Sequence, residues 1–265
     1  MKISVIGTGN MGGAIVRALC RAAGAEQVFI TNRTRAKAEA LADELGCTVC
    51  DTDEACAAGA DFVFLGVKPA GIRDVITLIT PQLKADAVLV SMAAGVTGAA
   101  MREALGGGGN PIVRILPNTP CAIGRGLVLI APCGDVAERT LSALEALLAP
   151  CGQTGFLTEA QADAGMTVGG CTPAYTYLFL EALADGGVRC GLPRADALAW
   201  AAQAVAGAAE LLLQSGQHPG ALKDAVCSPG GSTIEGVRAL ENAAFRGAVM
   251  DAVSAAFFKD WNRSR

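Results

Sequence analysis

The sequence predicts an α/β fold in two parts: a mostly parallel sheet domain over residues 1–158, followed by an all-α domain over residues 159–265. Three observations carry this. Strand and helix signals alternate through the first half, as strands joined by crossover helices require. A glycine-rich turn, Gly7-Thr8-Gly9-Asn10-Met11-Gly12, follows the first strand and opens the first helix. Beyond Glu159 no convincing strand follows, only helical periodicity.

Residues 3–6 are a strand and 11–23 a helix whose apolar residues recur at helical spacing. Residues 27–31 are a second strand and 35–45 a second helix, charged on one side. Thr48 and Val49 form a short third strand. Residues 61–67 are a fourth strand with a continuous apolar run, which suits a strand covered on both faces. Residues 88–91 and 112–115 continue the sheet. A strand at 127–130, a helix at 136–148 and a last strand at 154–157 close the domain. Helices are then expected at 173–188, 193–214, 219–226 and 233–262. The first three begin with Pro173, Pro193 and Pro219, and proline is tolerated in a first helical turn.

The chain has 265 residues, 52% hydrophobic and 17% charged, ample for a buried core. Net charge is −4 with no basic run, so nucleic-acid binding has no electrostatic footprint. Mean hydropathy is high at +0.41. The longest uncharged stretches, 87–101 and 164–180, fall short of a span and are interrupted by glycine. The expectation is a cytoplasmic protein with no membrane partner, whose excess apolar surface is covered by self-association. Ten cysteines are scattered singly and are expected as reduced thiols. Cys47 and Cys50 have a C-x-x-C spacing, but no second pair accompanies them and the single histidine, His218, is distant. No metal is expected.

The turn reads G-x-G-x-x-G and marks a Rossmann-type dinucleotide site. Gly7 permits the tight turn, Gly9 lets the backbone approach a pyrophosphate, and Gly12 lets helix and strand pack closely. Thr8, Asn10 and Met11 complete the loop, and the helix start presents amide groups to phosphate. An NAD-preferring site carries an acid at the end of the second strand. Here the strand runs into Asn32-Arg33-Thr34-Arg35, which suits a 2′-phosphate, so NADP(H) is expected, with NAD(H) as the other cofactor. Val67-Lys68-Pro69 and the segment from Met92 through Ala93, Ala94 and Gly95 to Val96 end two further strands. Ligands of open α/β sheets lie beyond the carboxyl ends of the strands, so both segments are placed to line the cofactor.

In the second half, Ser228-Pro229-Gly230-Gly231-Ser232-Thr233 separates two helices. Proline and glycine end one helix, Ser232 or Thr233 can cap the next, and the new helix presents amide groups to a carboxylate.

The run at 218–236, HPGALKDAVCSPGGSTIEG, resembles the signature of pyrroline-5-carboxylate reductases. Leu116-Pro117-Asn118-Thr119-Pro120, Val67-Lys68-Pro69, Ala93-Ala94-Gly95-Val96, Pro173-Ala174-Tyr175 and Ala184-Asp185-Gly186-Gly187 resemble the family in the same order, across essentially the whole chain. The resemblance implies reduction of L-1-pyrroline-5-carboxylate to L-proline with NADPH or NADH, and helical domains that interlock as a homodimer or larger. It implies that Ser228, Gly230, Gly231, Ser232 and Thr233 hold the substrate, with Ser228 and Thr233 serving the reaction and Thr233 the main side-chain contact. It places Glu159 near bound product, whereas His218 reads as a helix-start residue rather than a proton donor. Two positions depart from the family pattern. Gly170-Cys171-Thr172 stands where Gly-Ser-Gly is usual, and Ala225 stands where asparagine is common. Two alternatives share the architecture: a related imine or hydroxy acid reductase, with Lys223 as candidate acid/base, and a non-catalytic NADP-binding regulator.

Overall fold

The computed structural model describes residues 1–261. They divide into two compact units, residues 1–173 with 256–261, and residues 174–255.

The first unit is built on eight strands: β1 (Ile3–Ile6), β2 (Val28–Thr31), β3 (Thr48–Val49), β4 (Phe62–Leu65), β5 (Val88–Ser91), β6 (Ile112–Pro117), β7 (Gly126–Pro132) and β8 (Gly152–Phe156). Their order is β3-β2-β1-β4-β5-β6-β7-β8. All neighbours are parallel except β6 and β7. The strand order reverses at β1, the topological switch point of a Rossmann sheet. β1, β4 and β5 are buried along their whole length, which suits their largely apolar sequences, unbroken in β4 and carrying a buried serine, Ser4 or Ser91, in the other two.

The helices of this unit are α1 (Asn10–Ala23), α2 (Arg35–Leu45), α3 (Asp53–Ala57), α4 (Ile72–Ile79), α5 (Gly98–Ala104) and α6 (Glu138–Leu148). Ile15, Leu19, Leu41, Leu144 and Leu148 cover one face of the sheet. Cys56, Ile72, Ile76, Ile79 and Met101 cover the other. The short helices α3, α4 and α5 had no sequence counterpart above. The parallel pairs β4–β5 and β5–β6 demand crossovers, and Ile72, Val75, Ile76 and Ile79 of α4 recur at i, i+3, i+4 and i+7, a helical signal the sequence did carry.

Helix α7 (Ala162–Arg189) starts eleven residues before the predicted Pro173 and runs straight through it. A proline inside a helix leaves the carbonyl four residues back without its donor. That carbonyl, Gly169 O, instead accepts the side-chain amide of Asn118 at 3.0 Å. Asn118 Oδ1 in turn accepts the Leu127 amide at 2.9 Å, which ties the helix to β7.

The second unit continues with α8 (Arg194–Ser215), α9 (Pro219–Val226), α10 (Ser232–Asn242) and α11 (Phe245–Trp261). The predicted helix at 233–262 is therefore two helices, and its last position, Asn262, lies outside the described residues. The break falls at Ala244, which takes φ +54 and donates its amide to Glu241 O at 2.9 Å. Tyr175 Oη donates to Ala252 O at 3.3 Å, and the Phe179 and Phe245 rings lie 6.0 Å apart. Between residues 174 and 255 only Ala184 and Ala197 are buried. Tyr177, Leu178, Trp200, Leu213 and Met250 are each more than half exposed. These helices do not bury their own apolar faces.

Candidate functional site

Ile6 is in register with Thr31 on one side and Leu65 on the other, and Leu65 with Ser91. The segments that follow these residues, 7–12, 32–35, 66–69 and 92–96, therefore leave the sheet along one edge. Parallel pairing thus brings together the four segments expected to hold a cofactor.

The turn at 7–12 owes its shape to close backbone packing. Gly7 takes φ +95 and donates its amide to Thr31 O at 2.9 Å. A Cβ on Gly12 would stand 2.1 Å from Gly7 O, and one on Gly66 would stand 2.3 Å from the same atom. Gly9 caps α1 with no side-chain hydrogen bond, the first turn carries no acid, and nothing lies within 4 Å of where a Gly9 Cβ would be. The opening amides of α1 are thus open to an anion. Thr8 is buried, and its Oγ1 has no partner among the described residues. Such an orphaned hydroxyl is the group a ligand at this edge would satisfy.

Asn32 serves the loop itself. Its Oδ1 accepts the Thr8 amide at 3.0 Å and its Nδ2 donates to Thr34 O at 3.0 Å. Arg35 is ion-paired to Asp51 Oδ1 at 2.6 Å and Glu39 Oε1 at 2.7 Å. Arg33 is exposed and in no ion pair among the described residues. Lys68 and Pro69 are exposed, while Val67, Met92 and Ala94 are half-buried and Ala93 is buried.

Cys47 and Cys50 turn to different partners. The Cys47 thiol lies against Cys20, and the Cys50 thiol against Cys56. Cys50 is pulled down to about 7, chiefly by the hydrogen bond from Cys56, against burial, with further help from the Lys2 charge.

The second candidate site lies within the helical unit. His218 caps α9, its Nδ1 accepting the Gly220 amide at 3.1 Å, as a helix-start residue should. Gly231 donates its amide to Ser228 O at 3.0 Å, and Gly230 takes φ +69. A side chain at Gly231 would strike Ser228 Oγ at 2.3 Å, so the bend is closed on itself. Neither Ser232 nor Thr233 caps α10. The cap is Gly231, with no side-chain hydrogen bond, and Ser232 and Thr233 occupy the first turn. The opening amides of α10 are therefore unclaimed by a side-chain cap, and Ser228, Ser232 and Thr233 are exposed beside them. Lys223 pairs with Asp224 at 2.7 Å, which holds its ammonium above the ordinary lysine range.

Thr172 turns its hydroxyl back onto Val168 O of its own helix. Glu159 is half-buried, and its Oε1 accepts the Gly98 amide at 2.5 Å. Sequence reasoning missed Arg114, a buried cation on β6 that pairs with Asp163 at 3.2 Å. An arginine inside an otherwise apolar strand was the available signal.

Residues 159–261 match the family model described as pyrroline-5-carboxylate reductase dimerisation, and residues 2–95 match NADP oxidoreductase coenzyme F420-dependent. The chain is 39% identical to pyrroline-5-carboxylate reductase of Escherichia coli (strain K12), over 96% of this chain and 94% of that one. Among solved structures, a pyrroline-5-carboxylate reductase from Coxiella burnetii superposes with a TM-score of 0.92 at 28% identity, covering 100% of this chain and 98% of that one. The Plasmodium falciparum pyrroline carboxylate reductase, solved with NADP bound, gives 0.87 at 30% identity, again covering 100% and 98%.

Proposed function

The chain belongs to the pyrroline-5-carboxylate reductase family, and from that premise we propose how its residues serve the reaction. It is an NAD(P)H-dependent oxidoreductase acting on a CH–NH bond, reducing L-1-pyrroline-5-carboxylate to L-proline. It binds NADP(H) through its N-terminal sheet domain.

The open amides of α1, with the Thr8 hydroxyl, take the pyrophosphate of the dinucleotide. Arg33 takes the 2′-phosphate with Thr34, on a loop that Asn32 shapes. Residues 67–69 and 92–94 line the remainder of the cofactor. The open amides of α10 and the bend from Ser228 to Gly231 receive the substrate carboxylate, and the Thr233 hydroxyl bonds the ring nitrogen.

Bound NADPH supplies the hydride. The substrate imine, once protonated, is already electrophilic at carbon, so the protein needs no strong general acid. Its work is to hold the carboxylate and orient the ring. His218 is committed to its cap and Lys223 to Asp224, which agrees with this division of labour. A paired, fully charged Lys223 disfavours the hydroxy acid alternative.

The helical domain self-associates. We take the partner to be a second copy: helices that leave Trp200, Leu213 and Met250 uncovered gain most by meeting their own like. α8 is also long and apolar enough to cross a membrane, and its match to a dimerisation domain favours a protein cover and a cytoplasmic enzyme.

The observation that carries this reading is the uncapped start of α10, closed behind by a glycine bend. The test is NADPH oxidation with L-1-pyrroline-5-carboxylate beside a panel of 2-keto acids and other cyclic imines. Turnover of the first alone is expected. Thr233→Ala should lower kcat/KM for the imine by about tenfold or more, the worth of one hydrogen bond to a charged group. Full activity in that variant would remove Thr233 from the site.

A further inference from the structure

Glu159, expected near bound product, also bonds the backbone of the sheet unit. Oε1 accepts the Gly98 amide at 2.5 Å and lies 4.0 Å from Arg114 Nη1. Arg114 sits on β6 with its side chain only 4% exposed, and its Nη2 holds Asp163 Oδ1 in the first turn of α7 at 3.2 Å. Gly98 is the first residue of α5 and is pressed so closely on Cys133 that a Cβ there would meet Cys133 Cβ at 2.4 Å. Burial, then the negative charge of Glu159, push the Cys133 thiol up to about 12. It therefore stays neutral and leaves Arg114 as the counter-charge of Glu159.

These contacts bear on the segment at 92–96, which joins β5 to α5. Its beginning is held by Ser91, whose buried Oγ accepts the Ala93 amide at 3.2 Å. Ser91 is the register neighbour of Arg114. Its far end runs into Thr97 and Gly98, where Glu159 takes the amide. The segment is thus pinned at both ends, and the second pin comes from the residue that leads into α7. A half-buried carboxylate bonded to a backbone amide and backed by a buried guanidinium is a rigid anchor.

We propose that Glu159 and Arg114 are positioning residues for hydride transfer, fixing the 92–96 segment at the cofactor edge of the sheet through the Gly98 amide, without contact to the substrate. This rests on the reading that 92–96 lines the dinucleotide.

The test compares full-length wild type, Glu159→Ala, Glu159→Gln and Glu159→Asp. Hydrogen exchange of the peptide covering 92–98 is measured alongside kcat and KM for the imine. Glu159→Ala should speed exchange in this peptide by about tenfold or more and lower kcat by about 10–100-fold, with KM for the imine within about twofold. Glu159→Gln keeps an acceptor for the Gly98 amide and should restore both to within about threefold. Glu159→Asp keeps the charge but shortens the reach, and should loosen the segment as Ala does. It stands in for Ala should that variant not fold. Unchanged exchange with a raised KM would return Glu159 to the substrate and overturn the proposal, as would unchanged exchange and kcat in both Ala and Asp. The exchange measurement needs no imine, so failure of the wild type to reduce pyrroline-5-carboxylate would refute the function and still leave the anchor judged.

Discussion

Gly9 and Gly12 belong to one motif but should fail in opposite ways. A methyl group on Gly12 would stand 2.1 Å from Gly7 O and 3.1 Å from Gly7 C. Both are backbone atoms, and Gly7 has nowhere to retreat, because its own Cβ position is 2.8 Å from the Gly66 carbonyl carbon. Overpacking costs about 1–3 kcal/mol, and against rigid backbone the upper half of that range applies. Alanine returns up to about 1 kcal/mol of helix propensity. The net for Gly12→Ala is about 2 kcal/mol, or a fall of roughly 4–8 °C in Tm without ligand. Gly9 has φ −64 and open space around it, so Gly9→Ala should leave the ligand-free protein unchanged or up to about 1 kcal/mol more stable. Its methyl group instead stands where phosphate must approach, costing one charge-assisted hydrogen bond or more. That is about 1.5–3 kcal/mol and roughly a 10–100-fold weaker Kd. Thermal unfolding with and without NADPH separates the two. At 100 times its Kd the ligand stabilises the wild type by about 2.7 kcal/mol, and a 100-fold weaker site retains about 0.4. A Gly9→Ala protein that melts early without ligand, or keeps the whole NADPH shift, would refute this division of roles.

Arg33→Ala should raise KM for NADPH by about tenfold or more with little change for NADH, while Arg35→Ala has a smaller effect because Asp51 and Glu39 already hold that guanidinium. Steady-state kinetics with both cofactors decide it, and equal effects on the two would cancel the 2′-phosphate assignment. The Cys50 thiolate forms as pH rises through about 7, so its rate of alkylation by iodoacetamide should be half-maximal there and level by pH 8.5. Cys56→Ala should move that midpoint up toward the ordinary thiol value of about 8.5, and a wild-type rate still climbing through pH 8.5 would contradict the pairing. Ala244→Gly should be neutral or stabilising by up to about 1 kcal/mol, because a left-handed alanine costs about 1–2 kcal/mol that glycine avoids. A loss above about 1 kcal/mol in urea unfolding would show that the break between α10 and α11 is not strained.

What was legible in the sequence was what short-range pattern encodes. β1, β4 and β5 are runs buried on both faces, and such runs announce themselves. The G-x-G-x-x-G turn, the Pro219 helix and the glycine bend at 230–231 each follow from the backbone freedom or restriction of a single residue type. The elements that escaped are those whose cause lies far along the chain. α3 and α5 span only 5 and 7 residues, too few to show a period, and the parallel strand pairing that requires crossovers is a fact that no window of ten residues contains; α4, by contrast, shows its period in Ile72, Val75, Ile76 and Ile79. Pro173 reads as a helix start until Asn118, distant in sequence, supplies the hydrogen bond that proline cannot. Ala244 carries no glycine or proline to mark its break.

Residue order alone tells that a dinucleotide domain precedes a helical one, and where each backbone can turn sharply enough to receive an anion. Packing in three dimensions sets which side chains remain available at those turns. It committed Asn32 to its own loop, Arg35 to two acids, Cys50 to Cys56 and Glu159 to the Gly98 amide. Backbone propensity is local and can be read residue by residue, whereas a polar side chain bonds whatever the fold brings within about 3 Å of it.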